Sequence, residues 1–150
     1  MKKIIFSICL LLVCAFLFAA CGKQEGEAFD AEKAFERILS EVKYGAKLED
    51  VSKSAEFAFS GVPEGTEIRF WTSEDGKLAD AAILFKAKEL SDMTAIKTAV
   101  EQYVAQRKTE AERYSPEEVS KLENTVILEN GVYLIVCVTD DVNAARDILK

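Results

Sequence analysis

The strongest constraint on the fold is Val126 to Val138, two apolar runs joined at Asn130-Gly131. Asn-Gly between alternating apolar residues predicts a β-hairpin, and a type I′ turn suits it because both central positions need positive φ. The second run, Tyr133 to Val138, is apolar on both faces. A strand of that kind belongs inside a sheet with cover on both sides. The chain is therefore expected to build a layered domain around this strand.

Upstream, Glu67 to Thr72 alternates, with Ile68 and Phe70 on one face and Arg69 and Trp71 on the other. Glu74-Asp75-Gly76 follows as a turn. Leu78 to Ala87 then runs extended, with Ile83 and Phe85 opposite Leu84, predicting a second hairpin. Phe57 and Phe59 suggest a further short strand at 55–60. Four helices are expected. Asp30 caps the first, with Phe35, Ile38, Leu39 and Val42 at helical spacing and Gly45 at its end. Ser91 caps the longest, whose inner stripe runs Ile96, Val100, Tyr103, Val104 and Arg107, extended by Ala111 and Tyr114. Ser115-Pro116-Glu117-Glu118 reads as a cap, a proline at the first helical position and a Glu three after the cap. Asp140, in Thr139-Asp140-Asp141, caps the last helix. These elements predict an α+β domain: a mainly antiparallel sheet of four to five strands built from hairpins, with helices packed against it.

The N-terminus fixes an expected address. Met1-Lys2-Lys3 is followed by an almost wholly apolar stretch from Ile4 to Phe18, then Ala19-Ala20-Cys21. At 17 residues, 4–20 is short for a membrane span. The lysines, apolar core and small residues favour a secretory signal of the lipoprotein type, cut between Ala20 and Cys21, with lipid on Cys21. Phe18 stands where such signals usually carry Leu. The expected organisation is a signal at 1–20, a flexible tether at 21–28 and a single domain at 29–150. The expected location is extracytoplasmic, lipid-anchored to the bacterial cell membrane.

Charge narrows the partners. The chain has 19 basic and 26 acidic residues. Loss of Lys2 and Lys3 with the signal leaves 17 against 26, a net −9. Such a surface repels phosphate backbones, so no nucleic acid partner is expected. The membrane is expected to be reached through lipid on Cys21. Two acyl signals suffice for stable anchoring, and the lipid on such a cysteine provides them. Of the four cysteines, only Cys137 would remain free in the mature chain, which leaves no intramolecular disulfide.

From Ile83 to Ile148 the chain resembles an uncharacterised family of bacterial lipoproteins found mainly in Gram-positive anaerobes. The resemblance rests on Ile83-Leu84-Phe85-Lys86-Ala87, Gln106, Tyr114-Ser115-Pro116-Glu117, Asn130 to Val136, and Thr139-Asp140-Asp141. It implies a secreted, lipid-anchored α+β domain. It implies no activity and no catalytic residues.

Catalytic chemistry finds little purchase. With no histidine, Ser-His and Cys-His catalysis and His-ligated zinc are excluded. Cys137 lies in an apolar strand and reads as a core side chain. Ser40-Glu41-Val42-Lys43 has Ser-x-x-Lys spacing, but it falls late in a helix without companion motifs. The pairs Glu49-Asp50 and Asp140-Asp141 lack the pattern of a calcium loop. No cofactor, metal or catalytic residue is called for. The binding candidates are Trp71, Arg69 and Lys86 on one sheet face, where either a helix or a partner covers Trp71. The expected role is a non-enzymatic binding or accessory module of the envelope, with a protein or glycan partner. The alternatives are a hydrolase using carboxylates alone and a structural module for envelope assembly.

Overall fold

In the computed structural model, residues 29–150 are described. The signal, Ala20, Cys21 and the tether lie outside them. The order of elements is α1 (Ala31–Glu41), β1 (Leu48–Asp50), α2 (Ala55–Ala58), β2 (Glu67–Ser73), β3 (Ala81–Lys86), α3 (Met93–Tyr114), α4 (Val119–Glu123), β4 (Val126–Asn130), β5 (Tyr133–Val138) and α5 (Val142–Ile148). The five strands form one sheet in the order β1-β2-β3-β5-β4, antiparallel throughout. The fold is α+β, as the hairpin signals require.

Both faces of the sheet are covered, so the domain has three layers. Ile83, Phe85, Leu134, Val136 and Val138 face α3 and its Ile96, Val100 and Tyr103. Phe59 centres an aromatic cluster there, with ring centroids 5.2 Å from Phe70, 5.0 Å from Phe85 and 4.9 Å from Tyr103. The pairs with Phe70 and Phe85 are edge-to-face, which adds stabilisation beyond burial. Leu84, Ile135 and Cys137 face the other way, onto Phe35 and Ile38 of α1 and Ala145 and Ile148 of α5. The alternation along β3 and β5 thus supplies two cores from one pair of strands. β3 and β5 are interior, while β1 and β4 form the edges.

The sheet has two distinct ends. At one, Ala81 pairs with Val138 and Thr72. At the other, Lys86 pairs with Tyr133 and Glu67, beside the Gly131 turn. The long helix leaves from the Gly131 end, where Ala87 donates its N–H to Val132 O at 2.8 Å. Its 22 residues carry the chain about 33 Å to the Asp80 end.

Several local expectations are corrected. Residues 55–60 form no strand. The strand is Leu48–Asp50, and Ala55–Ala58 is helical. The Phe57/Phe59 alternation misleads because Phe59 is buried while Phe57 is 83% exposed. The Gly131 turn has Gly131-Val132 at its centre, since Asn130 pairs with Tyr133. Only Gly131 has positive φ there, +59°, the pattern of type II′ rather than I′. Glu89 and Asp92, not Ser91, exchange the capping bonds before α3. Asp30 caps α1 as expected, accepting from Lys33 N at 3.1 Å. α1, however, ends in extended backbone at Val42, not at Gly45. Asp141, not Asp140, stands at the start of α5.

Candidate functional site

Polar groups concentrate at the Asp80 end. Asp80 directly precedes β3 and is fully buried. Burial pushes its carboxyl above the usual aspartate range, against the opposing pull of Lys121. Lys121 on α4 is also buried, its ammonium 3.0 Å from Asp80 Oδ2, 2.8 Å from Glu118 Oε2 and 3.4 Å from Asp140 Oδ2. Burial disfavours that charge, but hydrogen bonds to Glu118 and Asp80 outweigh it and hold the lysine above its ordinary value. Two backbone donors complete the cluster: Ala79 N to Glu118 Oε2 at 2.7 Å and Gly45 N to Asp80 Oδ2 at 3.3 Å. Asp80 Oδ1 has no partner. Gly45 is needed for this approach, because a Cβ there would lie 3.0 Å from Asp80 Oδ2 and 3.1 Å from Leu78 Cδ1.

Glu118 is therefore not the capping residue that its position after Ser115 suggests. Ser115 makes no side-chain cap, and Glu118 turns inward to Lys121. The signal for this was available: Glu118, Lys121 and Leu122 are spaced i, i+3 and i+4 and share a helix face. With Leu122 inward, the two charges had to be inward too. Lys121 links the loop before β3, the turn before α4 and the segment after β5, while Gly45 ties the loop before β1 to Asp80.

Two concavities flank the cluster. One, of about 400 Å³, is lined by Gly76, Lys77, Ala79, Arg107, Glu110, Ala111, Tyr114 and Ser115. Arg107 donates to Glu110 Oε2 at 3.1 Å and to Leu78 O at 3.2 Å, which sets its guanidinium between α3 and the β2–β3 loop. Tyr114, expected in the core, is 81% exposed at the end of α3. The helical stripe turns it outward because Ala111 is the last buried residue of α3. Tyr103 does lie in the core, and burial raises its phenol.

The second concavity, lined by Leu39, Tyr44, Ala46, Lys47, Leu48 and Trp71, lies on the α1 side. Trp71 is half-buried against that core. Arg69 shares its face but is occupied: its guanidinium lies 2.7 Å from Glu36 and 3.4 Å from Glu32 and 4.8 Å above the Phe35 ring. It clamps α1 onto the sheet. Lys86, further along the same face, lies 3.7 Å from Glu67 on the neighbouring strand. The three candidates thus share a face, with Trp71 the one that lines a groove.

Cys137 is buried, and its thiol is pushed up to about 11, chiefly by burial. Tyr44 Oη lies 3.5 Å from its Sγ and donates to Ile38 O at 3.1 Å. Burial likewise raises the Tyr44 phenol. A thiol held neutral and enclosed is a core group, not a nucleophile. Among the described residues, no three carboxylate or cysteine side chains converge as metal ligands. No helix among them is long and apolar enough to cross a membrane.

An antiparallel sheet between two helical layers, with a buried ion cluster at one end, is the class that the geometry defines. A domain of unknown function, DUF4358, matches residues 67–139. The match runs from the first residue of β2 to the residue after β5. It includes Asp80, Arg107, Tyr114, Glu118 and Lys121, and leaves α1, β1, α2 and α5 outside. No curated protein and no solved structure matches the chain.

Proposed function

We propose that this protein is a lipid-anchored module of the bacterial cell envelope that binds a partner without catalysis, and that the Tyr114 groove receives the partner. The observation that carries this reading is Tyr114 itself: a large ring, exposed on a folded helix, at the rim of the groove that holds Arg107. Exposed aromatics beside arginine are the residues that interfaces use as anchors. A hydrolase working through carboxylates needs two of them flanking one bond, and this groove is lined by a single one, Glu110.

The direction of the elements supports the anchored reading. Phe29, the first described residue, packs against the core on the α1 side. The backbone after α1 reaches the Asp80 end, where Lys43 O accepts from Thr139 Oγ1, so α1 starts toward the Gly131 end and the chain enters there. A tether at 21–28 spans at most roughly 28 Å. Lipid on Cys21 would hold the Gly131 end toward the membrane and turn the groove outward. Replacement of Cys21 by Ser is expected to release the protein from membranes or to stop its processing. Normal cleavage with unchanged membrane retention rejects the anchor. Capture from envelope extracts with the intact protein and with Tyr114→Ala tests the groove. Identical captured material from both rejects it.

A further inference from the structure

We infer that the Tyr114 groove is built for an acidic saccharide, an extension that rests on the binding role proposed above. The chain as a whole is strongly acidic, yet the groove is not. Its charged lining residues are Lys77, Arg107 and Glu110, two cations to one anion, the reverse of the chain's overall balance. Arg107 and Glu110 already neutralise one another at 3.1 Å. Lys77 enters none of the ion pairs among the described residues. Its position is fixed through its backbone, whose N–H donates to Asp75 Oδ1 at 3.0 Å. It is a cation left available in an acidic molecule, and it suits a ligand bearing a carboxylate or comparable anion.

The remaining lining matches a sugar better than a peptide. A pyranose ring presents a face of C–H groups, which stacks on an exposed aromatic with an apolar body and a polar tip. Tyr114 offers such a ring. Sugar hydroxyls both donate and accept, and the Arg107–Glu110 pair presents donors and acceptors side by side. The side chains of an acidic peptide offer carboxylates but no ring face of C–H groups for Tyr114 to stack on, and no hydroxyls for the Arg107–Glu110 pair. Gly76 leaves the floor open: a Cβ there would meet nothing within 4 Å. The assignment therefore gives the ring face of the sugar to Tyr114, its anion to Lys77 and its hydroxyls to Arg107 and Glu110.

The test uses the full chain, lipid included, in detergent micelles, with three probes of equal length: tetragalacturonate, chitotetraose and tetraglutamate. Calorimetry gives affinities, and the ring signals of ¹³C-labelled tyrosine report on Tyr114. Tetragalacturonate is expected to shift the Tyr114 signal and to bind about tenfold or more tighter than either other probe. Tyr114→Ala is expected to lose at least about tenfold in affinity, and Lys77→Gln to bring tetragalacturonate down to the level of chitotetraose. Melting curves of both variants should match the parent. Equal binding of tetraglutamate overturns the inference, as does equal binding of chitotetraose or an unmoved Tyr114 signal. If those failures occur while Tyr114→Ala still abolishes capture from envelope extracts, the ligand class is wrong and the binding role stands. If capture is also indifferent to Tyr114, the binding role falls with it.

Discussion

The two ends of the sheet are built from the same strands and solve different problems. At the Gly131 end, β4 turns into β5 through two residues, and Ala87 and Val132 join by a single backbone bond. The Asp80 end encloses charges: Asp80, Glu118 and Lys121, with Thr139 Oγ1 buried beside them and donating to Lys43 O at 2.7 Å. At the first end the backbone closes the turn and the charged side chains stay exposed, as in the Lys86–Glu67 pair. The second is held by side chains that are costly to bury, since each ion loses its water and recovers the loss only through its partners. The cluster ties the loop before β3, the turn before α4 and the segment after β5 to one ammonium, and the two grooves flank it. The difference locates the demanding part of the molecule away from its simplest turn.

The comparison predicts unequal sensitivity. Lys121→Met should be the most damaging, at roughly 3–5 kcal/mol, because it strands two buried carboxylates. Denaturant melts measure it, and the double variant Asp80→Asn, Lys121→Met should lose less than the two single losses added. A cost below about 1 kcal/mol for Lys121→Met would show that the cluster is not what holds this end.

Alkaline pH attacks the same end. Cys137, Tyr44 and Lys121 all have raised values in the folded state, so each contributes stability that is complete below its unfolded value and disappears as pH rises through its folded one. For Cys137 that window runs from 9.0 to about 11, worth on the order of 2–3 kcal/mol. Unfolding free energies at pH 8 and pH 11 should therefore differ. Cys137→Ala should show a smaller difference, and a parent curve flat across this range breaks the prediction.

Trp71→Ala should cost about 2 kcal/mol, between the values for full burial and free exposure, because the ring is half-buried against the α1 core. A loss near zero would return Trp71 to the surface as a free contact residue. At the plain end, Gly131→Ala should cost only about 1 kcal/mol, the strain of a side chain at positive φ. If it rivals Lys121→Met, the contrast between the ends is lost. The smallest effect on stability should be that of Tyr114→Ala, within about 0.5 kcal/mol. A larger loss would mean that its ring contributes to packing after all.

What was legible in the sequence follows the same divide. Both hairpins, the doubly apolar β5, the long helix and the sorting of Ile83 and Leu84 to opposite faces are written in local periodicity. The Asp80 end is not. Glu118 and Lys121 are neighbours on one helical turn, but Asp80 is 41 residues from Lys121, and only folding brings it to them. Glu118 also carries a local signal that points elsewhere, toward a cap. Residues 55–58 go wrong for a related reason: alternating phenylalanines mimic a strand, while Phe59 is drawn inward by Phe70, Phe85 and Tyr103 from beyond its own segment. Tyr114 fits the helical stripe in sequence, but α3 outruns the core at Ala111.

The sheet's borders carry one more consequence. β1 is three residues long and includes Glu49 and Asp50, and β4 carries Glu129, held by Lys97 at 2.9 Å. A free strand margin is a template on which another chain can lay itself down, and brevity and charge are what deny it that use. Copies of this domain crowded side by side would meet with like charges at the margin next to β2, and with Glu129 and the exposed Ile127 at the other. The charged β1 margin is thus the one that turns a neighbouring copy away.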